Sequence, residues 1–422
     1  MLVKFTIEEF GKIKSAKIEL TNLVFFVGNN NSGKTMLMQL IYGLRKELSN
    51  IDVITNDIKK SEYTDRYLLR YDSQWFSAIE CYINKYLDDN KLQIVKNIFG
   101  MMISVGKIEI SLDYSEEEFF VCNISEINDK QQIDVRYYYG NNTSAYTIQV
   151  EKNIEKYKIE KIASKNVWKS LLIYNKNDGD ELFLPASRSG LQLLYKYYFA
   201  GNYDSSMVSP IKDFMQFTQL YSNNLDLSIS KKKLLEFGEE NLLNGHIHQE
   251  GEESFYVDKL SGKTYPIYIA SSMIHELTPF IKAISSTKKI SWLFCDEVEN
   301  SLHPLIQREM ARWIIRMVNE GMHILISSHS DSMASRLNNL LILSNFVHKS
   351  NKYEILQDLE LQEADLLSIG KSASVYEFCV DKDCKTNVKQ LDFIESPKIG
   401  YEFSLFEKNI EKLYQEADRI MR

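Results

Sequence analysis

The sequence predicts an α/β protein: a mixed sheet with helices on its faces, an added antiparallel β lobe and a helical insertion. Three observations predict it. An apolar run, Leu23-Val24-Phe25-Phe26-Val27, passes through a glycine-bounded loop into a segment where Leu37, Leu40, Ile41, Leu44 and Leu48 recur at helical spacing. Further along, apolar runs at 290–295 and 322–327 alternate with helical patterns at 304–318 and 331–340, as parallel strands with crossover helices do. Between these regions, short alternating runs at 108–112, 119–124, 135–139 and 146–150, with a turn signal at Gly140-Asn141-Asn142, read as an antiparallel meander.

In chain order, residues 1–48 read strand, strand, strand, loop, helix, and residues 49–180 form an insertion with helical segments between 57 and 98 followed by the meander. Helices dominate 151–243. Residues 181–345 return to α/β alternation, and 346–422 make a tail with strands at 375–380 and 388–391 and a last helix. No internal repeat appears, and six prolines leave no evident flexible linker, so the reading is one domain interrupted by a large insertion.

Apolar content of 44% and charge content of 26% belong to a globular chain, and no stretch is long and apolar enough for a membrane-spanning helix. A protein that stays in the cytosol is expected. Net charge of −8 argues against nucleic-acid binding by bulk electrostatics. A local basic groove remains open at the lysine-rich stretch 151–169 and at Ser230-Lys231-Lys232-Lys233, although solvated helix faces are the simpler explanation of both. Five scattered cysteines imply reduced thiols and no disulfide framework. His246 and His248 share one strand face without a third ligand, and Asp381-Lys382-Asp383 imitates a metal pair but sits where a hairpin turn is expected.

The loop carries the chemistry. Gly28-Asn29-Asn30-Asn31-Ser32-Gly33-Lys34-Thr35 fits G-x-x-x-x-G-K-[ST] between a strand and a helix. The glycines let the chain wrap with its amides inward, and the helix start adds unpaired N–H groups and a positive dipole end, so a polyphosphate is the natural guest. Lys34 would reach the β- and γ-phosphates of ATP, and the Thr35 hydroxyl would ligate Mg²⁺. Trp292-Leu293-Phe294-Cys295-Asp296-Glu297 is a strand ending in two acids: Asp296 is expected in the Mg²⁺ shell, and Glu297 as the group that polarises the attacking water. Ser327-Ser328-His329-Ser330 follows the next strand, placing His329 beside this edge as a γ-phosphate contact, with a structural histidine as the alternative.

Asp296-Glu297-Val298-Glu299-Asn300-Ser301-Leu302-His303-Pro304 and Ser328-His329-Ser330 resemble the ABC-type ATPase heads of the OLD-like, RecF/SMC-related group. Leu184-Pro185-Ala186-Ser187-Arg188 is similar to that group's PAxR element, and the segment from Ala373 to the last helix is similar to its tail. The likeness covers both ends of the chain and hardly touches 50–180. It implies that heads pair as a homodimer or higher even oligomer around ATP. It also implies that Ile269-Ala270-Ser271-Ser272-Met273 opens a signature helix whose Ser271 and Ser272 cap the γ-phosphate held by the opposite subunit. Relatives usually have Gly at the position of Met273, and an ordinary N-capped helix remains the alternative. Arg188 is a candidate phosphate contact.

The resemblance further implies either an antiviral defence subunit controlling a separate nuclease or toxin, or a repair ATPase clamping DNA. About ninety residues follow His329, short for a fused nuclease plus tail, so a separate effector is expected. The stripe Phe406, Ile410, Leu413, Ala417 and Ile420 either packs on the protein's own body or docks that partner.

Overall fold

The computed structural model describes residues 2–52, 61–62, 68–127, 130–139, 142–151, 156–173, 179–200, 207–220, 226–251, 253–345, 352–395, 400–405, 415–416 and 419. The chain divides into two units, Met1–Leu20 with Gln39–Gly179, and Thr21–Met38 with Asp180–Arg422.

In the second unit Leu23–Gly28 lies between two parallel neighbours, His323–Ser328 and Ala373–Val380. Outward from His323–Ser328 come Ile290–Cys295 and then Asp180–Leu184, both parallel, while Thr386–Leu391 adds antiparallel beside Ala373–Val380. Every residue of Leu23–Gly28, Ile290–Cys295 and His323–Ser328 is buried, which is why their apolar residues fall in short continuous runs and not in alternation. Because the three run parallel, their carboxyl ends share one edge, where open α/β sheets place their ligands. That edge unites the glycine loop, the paired acids and His329.

Helix Pro304–Asn319 crosses between two of these strands. Its start is set locally: Pro304 occupies the first helical turn, where a missing N–H costs nothing, and the ring Nδ1 of His303 accepts from Leu305 N at 3.3 Å. Met310, Ala311, Trp313, Ile314, Met317 and Val318 supply its buried face. Trp313 donates to Leu234 O at 2.8 Å and lies on Gly238, where any Cβ would come within 2.4 Å of the ring. On the same helix Arg312 and Arg316 grip the fully buried Asp365 at 2.9 and 2.7 Å, a structural clamp.

In the first unit Leu2–Phe10 pairs antiparallel with Ile13–Glu19 and with Lys107–Asp113. A second sheet orders Ser61–Glu62, Leu68–Tyr71, Phe119–Ile127, Lys130–Tyr139 and Asn142–Glu151, all antiparallel. The meander is therefore present without its expected first run: residues 108–112 pair with the first strand, Phe5 opposite Ile110, because alternation fixes a strand's faces and not its partner. Residues 140 and 141 of the expected turn fall outside the described residues. Lys156–Ile173 is a helix that buries Ala163, Val167, Trp168, Leu171 and Leu172, while its Lys161 and Lys165 pair with the exposed Asp52.

The helical section expected over 151–243 is interrupted by the strand Asp180–Leu184. Only Leu182, Phe183 and Leu184 are buried there, a run too short to show a period. Asp381 begins the turn between Ala373–Val380 and Thr386–Leu391, its Oδ1 accepting from the amides of Asp383 and Lys385 at 3.0 and 2.9 Å. All five residues of the stripe, Phe406, Ile410, Leu413, Ala417 and Ile420, lie outside the described residues.

Candidate nucleotide site

The glycine loop is held in the shape that its composition implies. Asn31 and Gly33 have φ of 61° and 93°, left-handed values that glycine adopts freely and asparagine tolerates. At Gly28 the reason for glycine is proximity: a Cβ would stand 2.8 Å from Phe378 Cβ on the adjoining strand. Helix Lys34–Ser49 starts inside the motif, so its first amides face the loop. Lys34 Nζ donates to Gly28 O at 2.8 Å and Asn29 O at 2.9 Å, and its burial pulls the ammonium below the usual lysine range against the opposing pull of Asp296, Glu297 and Glu299. Ser32 Oγ is buried with no hydrogen-bond partner among the described residues. An orphaned hydroxyl and a desolvated ammonium around inward amides are the donors that a polyphosphate satisfies.

The acids close on this loop. Thr35 Oγ1 donates to Asp296 Oδ2 at 2.7 Å across 261 residues of chain. Ser327 Oγ donates to the other carboxylate oxygen, Oδ1, at 2.6 Å, and accepts from Glu297 N at 2.9 Å. Asp296 is thus fixed from both sides. Glu297 adopts φ of 46°, a conformation few non-glycine residues take, and its carboxylate keeps 33% exposure at the loop edge. His329 stands 4.0 Å from it through Nδ1. The sequence-predicted residues Gly28 to Thr35, Asp296, Glu297 and His329 therefore meet in one place.

Two residues that sequence reasoning passed over hold this constellation. Glu299 Oε1 accepts from His329 N at 2.6 Å and lies 3.1 Å from His329 Nδ1. Ser327 bridges both acids as described. An acid two residues beyond Glu297 and a serine ending the neighbouring strand were the available signals.

Arg188 is corrected by the structure. Its guanidinium is fully buried, paired with Glu276 at 2.6 Å, and donates to the carbonyls of Asp296 at 2.9 Å, Pro185 at 3.2 Å, and Glu297 and Glu276 at 3.3 Å. Buried and held by one carboxylate and four carbonyls, it braces the acids from behind and does not face a phosphate. Ser271 and Ser272 open helix Ser272–Ser285 at an exposed position, with no side-chain cap hydrogen bond at Ser271. They lie on the same helix as Glu276, one turn from the Arg188 brace.

These features define a P-loop site for hydrolysis of a nucleotide triphosphate. The comparison with known families agrees: a profile of the AAA ATPase domain matches residues 1–334, and the chain belongs to this family of ATPases. No curated protein matches it. Solved structures similar to it include an Smc head bound to the C-winged helix domain of ScpA, 10% identical with a TM-score of 0.40, covering 94% of this chain and 98% of that one. The SMC head domain from Thermotoga maritima is 8% identical with a TM-score of 0.37, covering 93% and 99%. An Smc head domain with an extended coiled coil, bound to the C-terminal domain of ScpA derived from Pyrococcus furiosus, is 10% identical with a TM-score of 0.37, covering 100% and 99%. No helix among the described residues is long and apolar enough to cross a membrane.

Proposed function

We propose that the protein is an ABC-type ATPase of the cytosol that pairs with a second copy around ATP and serves as the sensor or scaffold subunit of an antiviral defence system, controlling a separate effector. The contact between Thr35 and Asp296 carries the ATPase part of this reading, since it joins the phosphate loop to the acids. Hard oxygen donors and few carboxylates suit Mg²⁺, which in phosphoryl-transfer sites takes most of its ligands from water and phosphate. Thr35 and Asp296 would hold it, and the ion when bound supplies neutralisation of phosphate charge.

The chain's own residues do the rest. Lys34 and the loop amides bind and orient the triphosphate, Glu297 accepts a proton from the attacking water, and His329 faces the γ-phosphate. The exposed start of the helix at Ser271 and Ser272 supports pairing, because free N–H groups at a helix end favour an anion presented by another subunit. ATP bridging two copies would favour the closed pair, and hydrolysis would release it. The effector assignment rests on the motif resemblance.

The test is the mass of Glu297→Gln with ATP and Mg²⁺, read by light scattering together with co-purifying protein. A dimer that carries ATP and retains a second polypeptide is expected. A monomer under saturating ATP would end the pairing model. Salt-sensitive binding to duplex DNA with DNA-stimulated turnover would replace the effector reading with that of a DNA clamp.

A further inference from the structure

We infer that Glu299 is the positioning residue of His329, fixing which ring nitrogen is presented to the nucleotide; this rests on the ATPase reading above. Glu299 leaves the acid pair along the chain, yet its side chain is only 4% exposed and turns to the strand end that carries His329. One oxygen, Oε1, accepts from the backbone amide of His329 at 2.6 Å and lies 3.1 Å from the ring Nδ1 as an ion-pair contact. A carboxylate has no proton to give, so an Nδ1 held 3.1 Å from it is favoured in its protonated form. In the neutral ring Nε2 is then the nitrogen without a proton, and in the charged ring it is a donor opposed by a buried anion.

The second acid near the ring, Glu297, stands farther off at 4.0 Å and keeps 33% exposure, so it is free to act on water while Glu299 holds the imidazole. The division of labour follows from burial. A carboxylate that is nearly inaccessible cannot meet solvent or substrate, but one that holds a residue's amide and lies against its ring can set that residue's backbone and ring together. Among the described groups the ring's ion-pair partners are Glu297 and Glu299. Glu299 therefore acts through His329 and does not touch the reacting atoms.

The full chain labelled with ¹⁵N-histidine tests this, with the His329 ring signals assigned by their disappearance in His329→Gln. In the wild type the neutral ring is expected with its proton on Nδ1. Glu299→Ala should move that proton toward Nε2, the form favoured in water, and lower kcat about 10- to 100-fold, as loss of a carboxylate behind a working histidine does, with KM for ATP within about threefold. Glu299→Gln keeps an acceptor oxygen and should retain the Nδ1–H form and recover part of kcat. An unchanged tautomer in Glu299→Ala overturns the proposal, as does an equal loss in both variants accompanied by loss of ATP binding. The tautomer is read without turnover, so absence of hydrolysis in the wild type would sink the ATPase reading while leaving this result legible.

Discussion

Replacing Arg188 with Met should separate the stability of the second unit from its activity. The Arg188 and Glu276 side chains are 0% and 1% exposed, and their ion pair spans 2.6 Å. Removing the guanidinium leaves an uncompensated buried carboxylate and deprives the Asp296 and Glu297 carbonyls of donors, a loss of about 3–5 kcal/mol. Removing both charges in Arg188→Met/Glu276→Met takes away the unpaired anion and keeps the volume, so stability should return to within about 1–2 kcal/mol of wild type. Hydrolysis should not return, because the Glu297 carbonyl, next to a backbone at φ of 46°, is still without its clamp.

The single variant should also be sensitive to pH. Burial pushes the Glu276 carboxyl above its ordinary 4.5, with Arg188 opposing, and without Arg188 the folded chain keeps a proton that the unfolded chain releases. Between those two pKa values the folded state binds more protons, so stability falls as pH rises, and the deficit is larger near about pH 8 than near about pH 5. Urea unfolding would be followed by tryptophan fluorescence with Trp75 and Trp168 changed to Phe, leaving Trp292 and Trp313 as reporters of the second unit. A deficit below about 1 kcal/mol, or a double variant that regains hydrolysis, would refute the brace.

Ser327→Ala should shift the Mg²⁺ dependence of turnover to higher concentration by about tenfold, since a hydrogen bond to a charged group contributes about 1.5–3 kcal/mol, while ATP binding in chelator stays unchanged. An unmoved Mg²⁺ curve would contradict the role of Ser327. Asp365→Asn should cost about 3 kcal/mol near neutral pH. Burial pushes the Asp365 carboxyl up, but the hydrogen bonds from Arg316 and Arg312 more than reverse it, leaving it below its ordinary 3.8. That stabilisation is complete above the unfolded value and is lost as pH falls through the folded one, so acid unfolding curves of wild type and variant should converge there, and parallel curves would exclude the clamp.

The parts of the fold legible in the sequence are those where local pattern and burial agree. Ile290–Cys295 was readable to the residue because both its faces are covered, and Pro304 marked its helix because the first turn tolerates a missing amide. Asp180–Leu184 was not, since an edge strand with three buried residues has no period to detect. Likewise the partner of Lys107–Asp113 is the first strand, Leu2–Phe10, too distant in sequence for local pattern to reveal. The site follows the same division: the motif residues are visible because phosphate chemistry restricts them, whereas Arg188 was misread because its phosphate-binding chemistry is spent on carbonyls and Glu276. Glu299 and Ser327 act through partners thirty residues away, a relation that only the folded sheet edge reveals.

Phosphate release measured beside ATP binding, for wild type, Glu297→Gln and Lys34→Ala, bears most directly on the union of the glycine loop with the distant acids. Glu297→Gln should bind ATP as the wild type does while releasing phosphate at least about 100-fold more slowly. Lys34→Ala should lose at least about 30-fold in affinity, from roughly 2–5 kcal/mol for a desolvated charge contact. Undiminished hydrolysis by Glu297→Gln, or wild-type affinity in Lys34→Ala, would show that the two ends of the chain do not serve one nucleotide.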